Sequence, residues 1–207
     1  MNSKNIQPSH IYLPIGIKRW HAYWTQINYV YKTKAKKILE IGPGRRVVTD
    51  YLIKAGLDIS TCDIDSKIKA DFYCNLEDIP LEMSYELVLC CEVLEHMPYE
   101  KFHSSLKKIY ALTTRYVLIS LPQRHHLFYF KIIIMNRTLF EFKWIKPIFK
   151  RKHIWDGQHY WEVNAKGYSE NKIRDDIERV GFKILEEKIY IENPYNRFYL
   201  LKKLEEN

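Results

Sequence analysis

Near its end the chain carries two strand-like runs, KILEEKIYIEN and RFYLLKK, joined only by the short turn NPYN. A crossover between parallel strands needs a dozen or more residues, so these two runs can only be antiparallel neighbours. Upstream the pattern is different, with strand-like runs alternating with helical ones. KILEI reads as a strand of the continuous apolar type, VVTDYLIKAG as a helix stopped at Gly56, and LDISTCDID as a second strand. DFYCNL is a third strand candidate, and YELVLCCEVLEH contains a fourth. EKFHSSLKKIYALT follows as an amphipathic helix, and RYVLISLPQ as a fifth strand ended by Pro122. SENKIRDDIERVGF reads as a helix with Ser169 as its N-cap and Gly181 at its end. This order predicts an α/β fold in which a mainly parallel sheet is finished by an antiparallel strand.

Two segments stand outside that alternation. In residues 17–37, Trp20, Trp24, Ile27 and Tyr31 recur at helical spacing and predict one face of an amphipathic helix. That aromatic face would cap the ligand site, pack on the core or meet a second copy of the chain. Residues 123–160 follow no single period and are expected to form an insertion or lid. With 207 residues the chain is expected to be one domain, 1–207, with 1–36 as an N-terminal helical cap and 123–160 as a lid or acceptor insert.

Composition narrows the setting. Aliphatic and aromatic residues make up 46% of the chain, which excludes a disordered one. The densest apolar stretch, Leu127 to Met135, is interrupted by Lys131 and is too short to span a bilayer. The N-terminal MNSKNIQPSH has no apolar core of a signal peptide, so a cytoplasmic setting is expected. Cys62, Cys74, Cys90 and Cys91 lack C-x-x-C spacing, so they read as reduced, buried thiols with neither a disulfide nor a metal. The net charge of +8 points weakly to an acidic partner. Much of it gathers in FKWIKPIFKRKH, where Lys143, Lys146, Lys150, Arg151 and Lys152 interleave with large apolar side chains.

The first strand runs directly into a glycine loop, KILEIGPGRRVV, Lys37 to Val48. In open α/β sheets ligands bind at the carboxyl ends of strands, where strand order reverses. A dinucleotide fingerprint needs a third glycine at Val47, and a phosphate-binding Walker loop needs G-K-[ST]; both are absent. What remains is E-x-G-x-G on Glu40, Gly42 and Gly44.

This stretch resembles the first motif of class I S-adenosylmethionine (SAM)-dependent methyltransferases, [DE]-x-G-x-G-x-G, with Arg46 standing where the third glycine is usual. The resemblance implies glycines that let the backbone approach the cofactor and an acid suited to a cationic sulfonium. Asp63 lies 19 residues after Gly44 and matches the family's ribose-binding acid, with Ile64 beside the adenine and Asp65 as second choice. CNLEDIPL resembles the adenine-flanking segment, placing Asn75 and Leu76 there. YELVLCCEVLEHM resembles the fourth strand and its loop in the methyltransferase type 11/12 group, which brings Cys91 and Glu92 to the cofactor. The match is close over residues 37–122 and looser in QHYWEVNAKGYSENKIRDDIERVGF. It implies a Rossmann-like sheet of seven strands, order 3-2-1-4-5-7-6 with the last antiparallel and helices on both faces, and SAM as cofactor with S-adenosylhomocysteine as product.

Methyl transfer from a sulfonium is an in-line displacement, in which an enzyme chiefly aligns and desolvates, and an oxygen acceptor also needs a base. The candidate bases are His159, His125 and His96, with His126 beside His125. His159 has Asp156 and Glu162 nearby in sequence, and Tyr160 and Trp161 beside it read as packing or acceptor-stacking groups. No N-P-P-[YF] or D-P-P-Y motif follows the fourth strand, so a nucleic-acid acceptor is not expected. The expected acceptor is a small molecule, methylated on an oxygen of a sugar, nucleotide-linked or cell-envelope metabolite. The basic insert would suit a phosphorylated one. The alternatives are a membrane-surface enzyme acting on a lipid or quinone through 127–153, an RNA methyltransferase, or a non-catalytic protein that keeps the fold.

Overall fold

The computed structural model describes residues 14–148, 152–155 and 157–204; the MNSKNIQPSH segment, Lys150, Arg151 and Asp156 lie outside the described residues. The elements in chain order are α1 (Ile17–Thr33), β1 (Lys37–Ile41), α2 (Val47–Lys54), β2 (Asp58–Asp63), β3 (Phe72–Tyr73), β4 (Tyr85–Cys91), α3 (Phe102–Leu112) and β5 (Thr113–Pro122). They continue with β6 (His125–Ile134), β7 (Arg137–Pro147), α4 (Glu170–Arg179), β8 (Phe182–Ile189) and β9 (Asn196–Lys203).

Seven strands form one sheet in the order β3-β2-β1-β4-β5-β9-β8, and β6 and β7 form a separate two-stranded ribbon. With that ribbon set aside, the order is the expected 3-2-1-4-5-7-6. β9 runs antiparallel to both β5 and β8, as the short NPYN turn requires. The third strand is shorter than expected, only Phe72 and Tyr73 of DFYCNL.

Alternation along the central strands divides the interior into two layers. Leu39, Val88, Cys90, Val117, Ile119, Tyr199 and Leu201 face α3 and α4, meeting Phe102, Leu106, Ile109, Ile173 and Ile177. Ile38, Leu87, Leu89, Leu118, Phe198 and Leu200 face the other way, onto Tyr29, Val30, Val48 and Leu52 of α1 and α2. Each fully buried Leu or Ile contributes roughly 1.5–3 kcal/mol. Both sheet faces are covered, which is why these strands carry continuous apolar runs. Ser169 caps α4 as expected, its side chain accepting from the backbone N–H of Lys172.

The orientation of α1 decides against one of the three roles open to its aromatic face. Its buried stripe is Ala22, Thr25, Gln26, Tyr29, Val30 and Thr33. Trp20, Trp24 and Tyr31 are about half exposed, on the opposite side, so the aromatic face does not pack on the core. Tyr29 and Val30 of that stripe join the core, while Ala22 and Gln26 border the cleft described below.

The unparsed 123–160 segment contains the long β6–β7 hairpin. Met135 and Asn136 turn it, both at positive φ, as a two-residue type I′ turn demands. Paired positions put Phe128 with Trp144, Phe130 with Phe142 and Ile132 with Phe140 on one face. All six are exposed. The other face meets the body near the base, where Lys143 donates to Ile189 O at 2.6 Å.

Candidate active site

The strand order reverses at β1, between β2 and β4, and a cleft of about 730 Å³ opens there at the carboxyl ends. Gly42, Pro43, Gly44 and Arg45 form one wall, Cys91 and Glu92 a second, and Asn193, Tyr195 and Asn196 a third. The start of α1 closes it with Arg19, Ala22, Tyr23 and Gln26, while Asp65 and Ile68 lie beyond β2.

Each wall has a local cause. Gly42 has φ +71°, its N–H donates to Cys62 O at 2.8 Å, and an added Cβ would come within 2.6 Å of Val93 Cγ2. Gly44 has φ +49° and open space where a Cβ would stand, so its bareness serves the cleft and not internal packing. Arg46 takes φ +57° despite its side chain. It therefore keeps the left-handed conformation that a glycine would supply, at a cost of about 1 kcal/mol. Its guanidinium offsets that cost by binding Lys69 O at 2.5 Å and Asp50 Oδ1 at 3.2 Å, which ties the loop to the segment after β2. Glu92 is likewise left-handed, at φ +56°, and its carboxylate accepts from Ser120 Oγ at 2.9 Å. Burial raises its pKa, with Ser120 and Arg19 opposing.

The remaining cofactor candidates lie around the cleft without lining it. Glu40 is buried beneath the loop and accepts from Thr49 Oγ1; burial lifts its pKa to about 7, with Thr49 and Arg46 opposing. Asp63 uses Oδ1 to hold the N–H of Asp65 at 2.9 Å, so it shapes the turn that puts Asp65 in the cleft wall. Ile64 is exposed, Leu76 is buried in the core, and Asn75 donates to Asp78 Oδ2 at 3.3 Å.

Of the three candidate bases, the fold brings two together. The His96 and His159 rings lie 5.1 Å apart, and His96 Nδ1 is 3.0 Å from Gln158 O. His159 Nδ1 lies 3.2 Å from Tyr195 Oη and 3.6 Å from Glu162 Oε1. Tyr195 Oη also donates to Glu162 Oε1 at 3.1 Å, so this one tyrosine joins the cleft to the histidine pair. Arg124 Nε donates to Glu162 Oε2 at 2.5 Å, and His153 Nε2 meets His159 O at 2.6 Å. Burial alone would raise Glu162, but His159 and Arg124 bring its carboxyl down to about 2. His125 has other surroundings: burial lowers its pKa, and Arg197, His126 and Lys143 lower it further. Trp161 is a core residue, buried and donating Nε1 to Met97 O at 3.1 Å, whereas Tyr160 remains partly exposed against Trp155.

Below the pair sits Glu95. It is fully buried, and among the described residues neither carboxyl oxygen has a hydrogen-bond partner. Burial raises its pKa well above the usual range, and Glu92 and Glu162 add to the effect. Arg124, His153 and Tyr195 carry no local sequence signature, being contributed to this cluster by three separate segments.

The profile of the methyltransferase domain family matches residues 21–187. The chain belongs to that family. No curated protein matches it. Among solved structures, magnesium protoporphyrin IX methyltransferase from Synechocystis PCC 6803, with bound SAM, superposes with a TM-score of 0.63 at 15% identity, covering 94% of this chain and 88% of that one. A SAM-dependent methyltransferase from Clostridium acetobutylicum gives 0.59 at 10% identity, covering 91% and 92%. The 1,6-didemethyltoxoflavin-N1-methyltransferase of Burkholderia thailandensis gives 0.59 at 12%, covering 92% and 79%. The resemblance read from the motifs therefore stands: this is a methyltransferase with the class I fold. Among the described residues no helix is long and apolar enough to cross a membrane.

Proposed function

We propose that this methyltransferase binds SAM in the β1–β4 cleft and transfers its methyl group to an oxygen of a small-molecule acceptor, a sugar, nucleotide-linked or other cell-envelope metabolite. The observation that carries this reading is Tyr195, which lines the cleft and hydrogen-bonds the His159–Glu162 pair. Gly42, Gly44, Asp65, Cys91 and Glu92 would hold the cofactor, with Glu40 supplying negative charge from beneath.

In the reaction the acceptor oxygen forms a bond to the methyl carbon while the carbon–sulfur bond breaks. Its electron pair passes to sulfur, leaving neutral S-adenosylhomocysteine, and the hydroxyl proton passes to a base at the histidine cluster. Alignment in a water-poor cleft supplies most of the acceleration. Transfer of radiolabelled methyl from SAM to a panel of hydroxylated metabolites tests the reading. Label in sugar-containing or lipid-linked fractions supports it, and label only in RNA or protein overturns it.

The hairpin favours a second, compatible reading, in which the acceptor is reached at a membrane surface. An isolated two-stranded ribbon is marginal in water, yet this one exposes Phe128, Phe130, Ile132, Phe140, Phe142 and Trp144 on one face. At the base of that face stand His126 and Lys146, and the strand pair ends at Ile134 and Arg137. Aromatic side chains rimmed by cations suit the interface of an anionic bilayer, so a lipid-linked or quinone-like acceptor fits this surface. A phosphorylated acceptor fits the same cations.

A further inference from the structure

We propose that Glu95, His96 and His159 form a binding site for one divalent transition-metal ion, placed beside the methyl-donor cleft to hold the acceptor oxygen. The role, though not the binding, rests on the reading of the chain as an oxygen-directed methyltransferase.

One carboxylate oxygen and one nitrogen of each imidazole lie within 4.8 Å of one another. Ligands on one metal at bonds of about 2.0–2.2 Å stand at most about 4.3 Å apart, so a small rotation of the exposed His96 completes the set. The second, independent observation is Glu95 itself. Among the described residues no side chain or backbone group hydrogen-bonds either of its buried oxygens, and a buried polar group left in that state costs free energy. A cation between the oxygens and the two rings would repay it. Glu92 and Glu162 add further negative charge around the same point.

The donor set selects the ion. Two imidazoles and one carboxylate suit Mn²⁺, Fe²⁺, Co²⁺ or Zn²⁺, whereas Mg²⁺ prefers oxygen alone. Glu162 beside His159 Nδ1 supplies the outer carboxylate that commonly orients a metal-binding histidine. Three protein ligands leave coordination positions open, as catalytic sites require. The acceptor class is then an alcohol or vicinal diol, whose coordinated hydroxyl would be more acidic than in water.

Tag-free protein, stripped with a chelator, is titrated with Mn²⁺ and with Zn²⁺ by calorimetry in the absence of SAM. One equivalent is expected to bind at micromolar affinity or tighter, with Mg²⁺ at least about 100-fold weaker. His96→Asn, at an exposed position, should keep the circular dichroism spectrum and weaken Mn²⁺ binding by about 100-fold. Glu95→Gln should do the same, and if that buried variant does not fold, His159→Asn is the second arm. S-adenosylhomocysteine is titrated separately, so a failed cofactor site is distinguished from a failed metal site. Absence of stoichiometric binding, or binding that His96→Asn leaves unchanged, overturns the proposal.

Discussion

Val93 Cγ2 stands 2.6 Å from the point where a Cβ on Gly42 would be built. The loop after β4 thus packs directly on the loop after β1, so the two cofactor-facing walls are one mechanical unit. Gly42→Ala must both adopt a positive φ and displace Val93. The first costs about 1 kcal/mol and the second about 1–3 kcal/mol. Urea denaturation should show a loss of about 2–4 kcal/mol, reduced to about 1 kcal/mol when Gly42→Ala is made in a Val93→Ala background. Additive losses in the double variant would disprove the coupling.

Glu40 links stability to pH with an unusual sign. Its carboxyl is held at about 7 against an ordinary 4.5. A raised folded pKa contributes stability that is present below the unfolded value and lost as pH rises through the folded one. Between pH 4.5 and 7 the native protein therefore loses stability from this group, up to about 3 kcal/mol when it is ionised. Glu40→Gln keeps an oxygen to accept from Thr49 and removes the titration. At pH 8 the variant should melt higher than the wild type by calorimetry and converge with it below pH 4.5, while SAM binds it more weakly. Equal melting profiles across that range would contradict the assignment.

Arg197 is buried between two carboxylates, Glu170 Oε1 at 2.5 Å and Glu187, and its Nε donates to Gln123 Oε1 at 2.9 Å. Replacing it by Leu leaves those partners uncompensated and should cost about 3–5 kcal/mol. Burial alone would raise Glu187, but hydrogen bonds from Arg174 and Arg197 hold its carboxyl below the usual range. Its contribution is therefore present above the unfolded carboxylate pKa and lost as pH falls through the folded one. Chemical denaturation between pH 5 and pH 2 should show a shallower acid loss in Glu187→Gln than in the wild type.

The sheet order was legible because its two determinants are local: alternation of strands and helices, and a turn too short for a crossover. The orientation of α1 was not. Trp20, Trp24 and Tyr31 form the more obvious apolar face, yet the stripe that is buried is Ala22, Thr25, Gln26, Tyr29, Val30 and Thr33, a mix of small, polar and apolar residues with no strong apolar period of its own. The hairpin escaped detection because Leu127, Tyr129 and Ile133 fill the positions where a period of two calls for polar residues. Its turn uses Met135-Asn136 in place of the usual glycine pair. At the site the glycine loop was readable, since positive φ demands particular residue types. The Glu162, Arg124, His153 and Tyr195 cluster was not, since its members lie tens of residues apart and meet only through the fold.

The exposed hairpin face predicts selective loss of membrane binding. Phe130→Ser with Trp144→Ser removes two ring systems that contribute little to the folded core, so thermal stability should change by less than about 1 kcal/mol. Co-sedimentation with phosphatidylglycerol vesicles should fall several-fold in the same variant. Binding of the wild type that is absent at low salt, or unchanged by both substitutions, would contradict a bilayer as its occupant.

The central claim is tested most directly by a crystal structure of the protein with S-adenosylhomocysteine. The ligand is expected in the cleft between Gly44, Asp65 and Cys91, with its sulfur on the side of Glu92 and Tyr195. A cleft that stays empty at saturating ligand, or a ligand bound elsewhere, would contradict it.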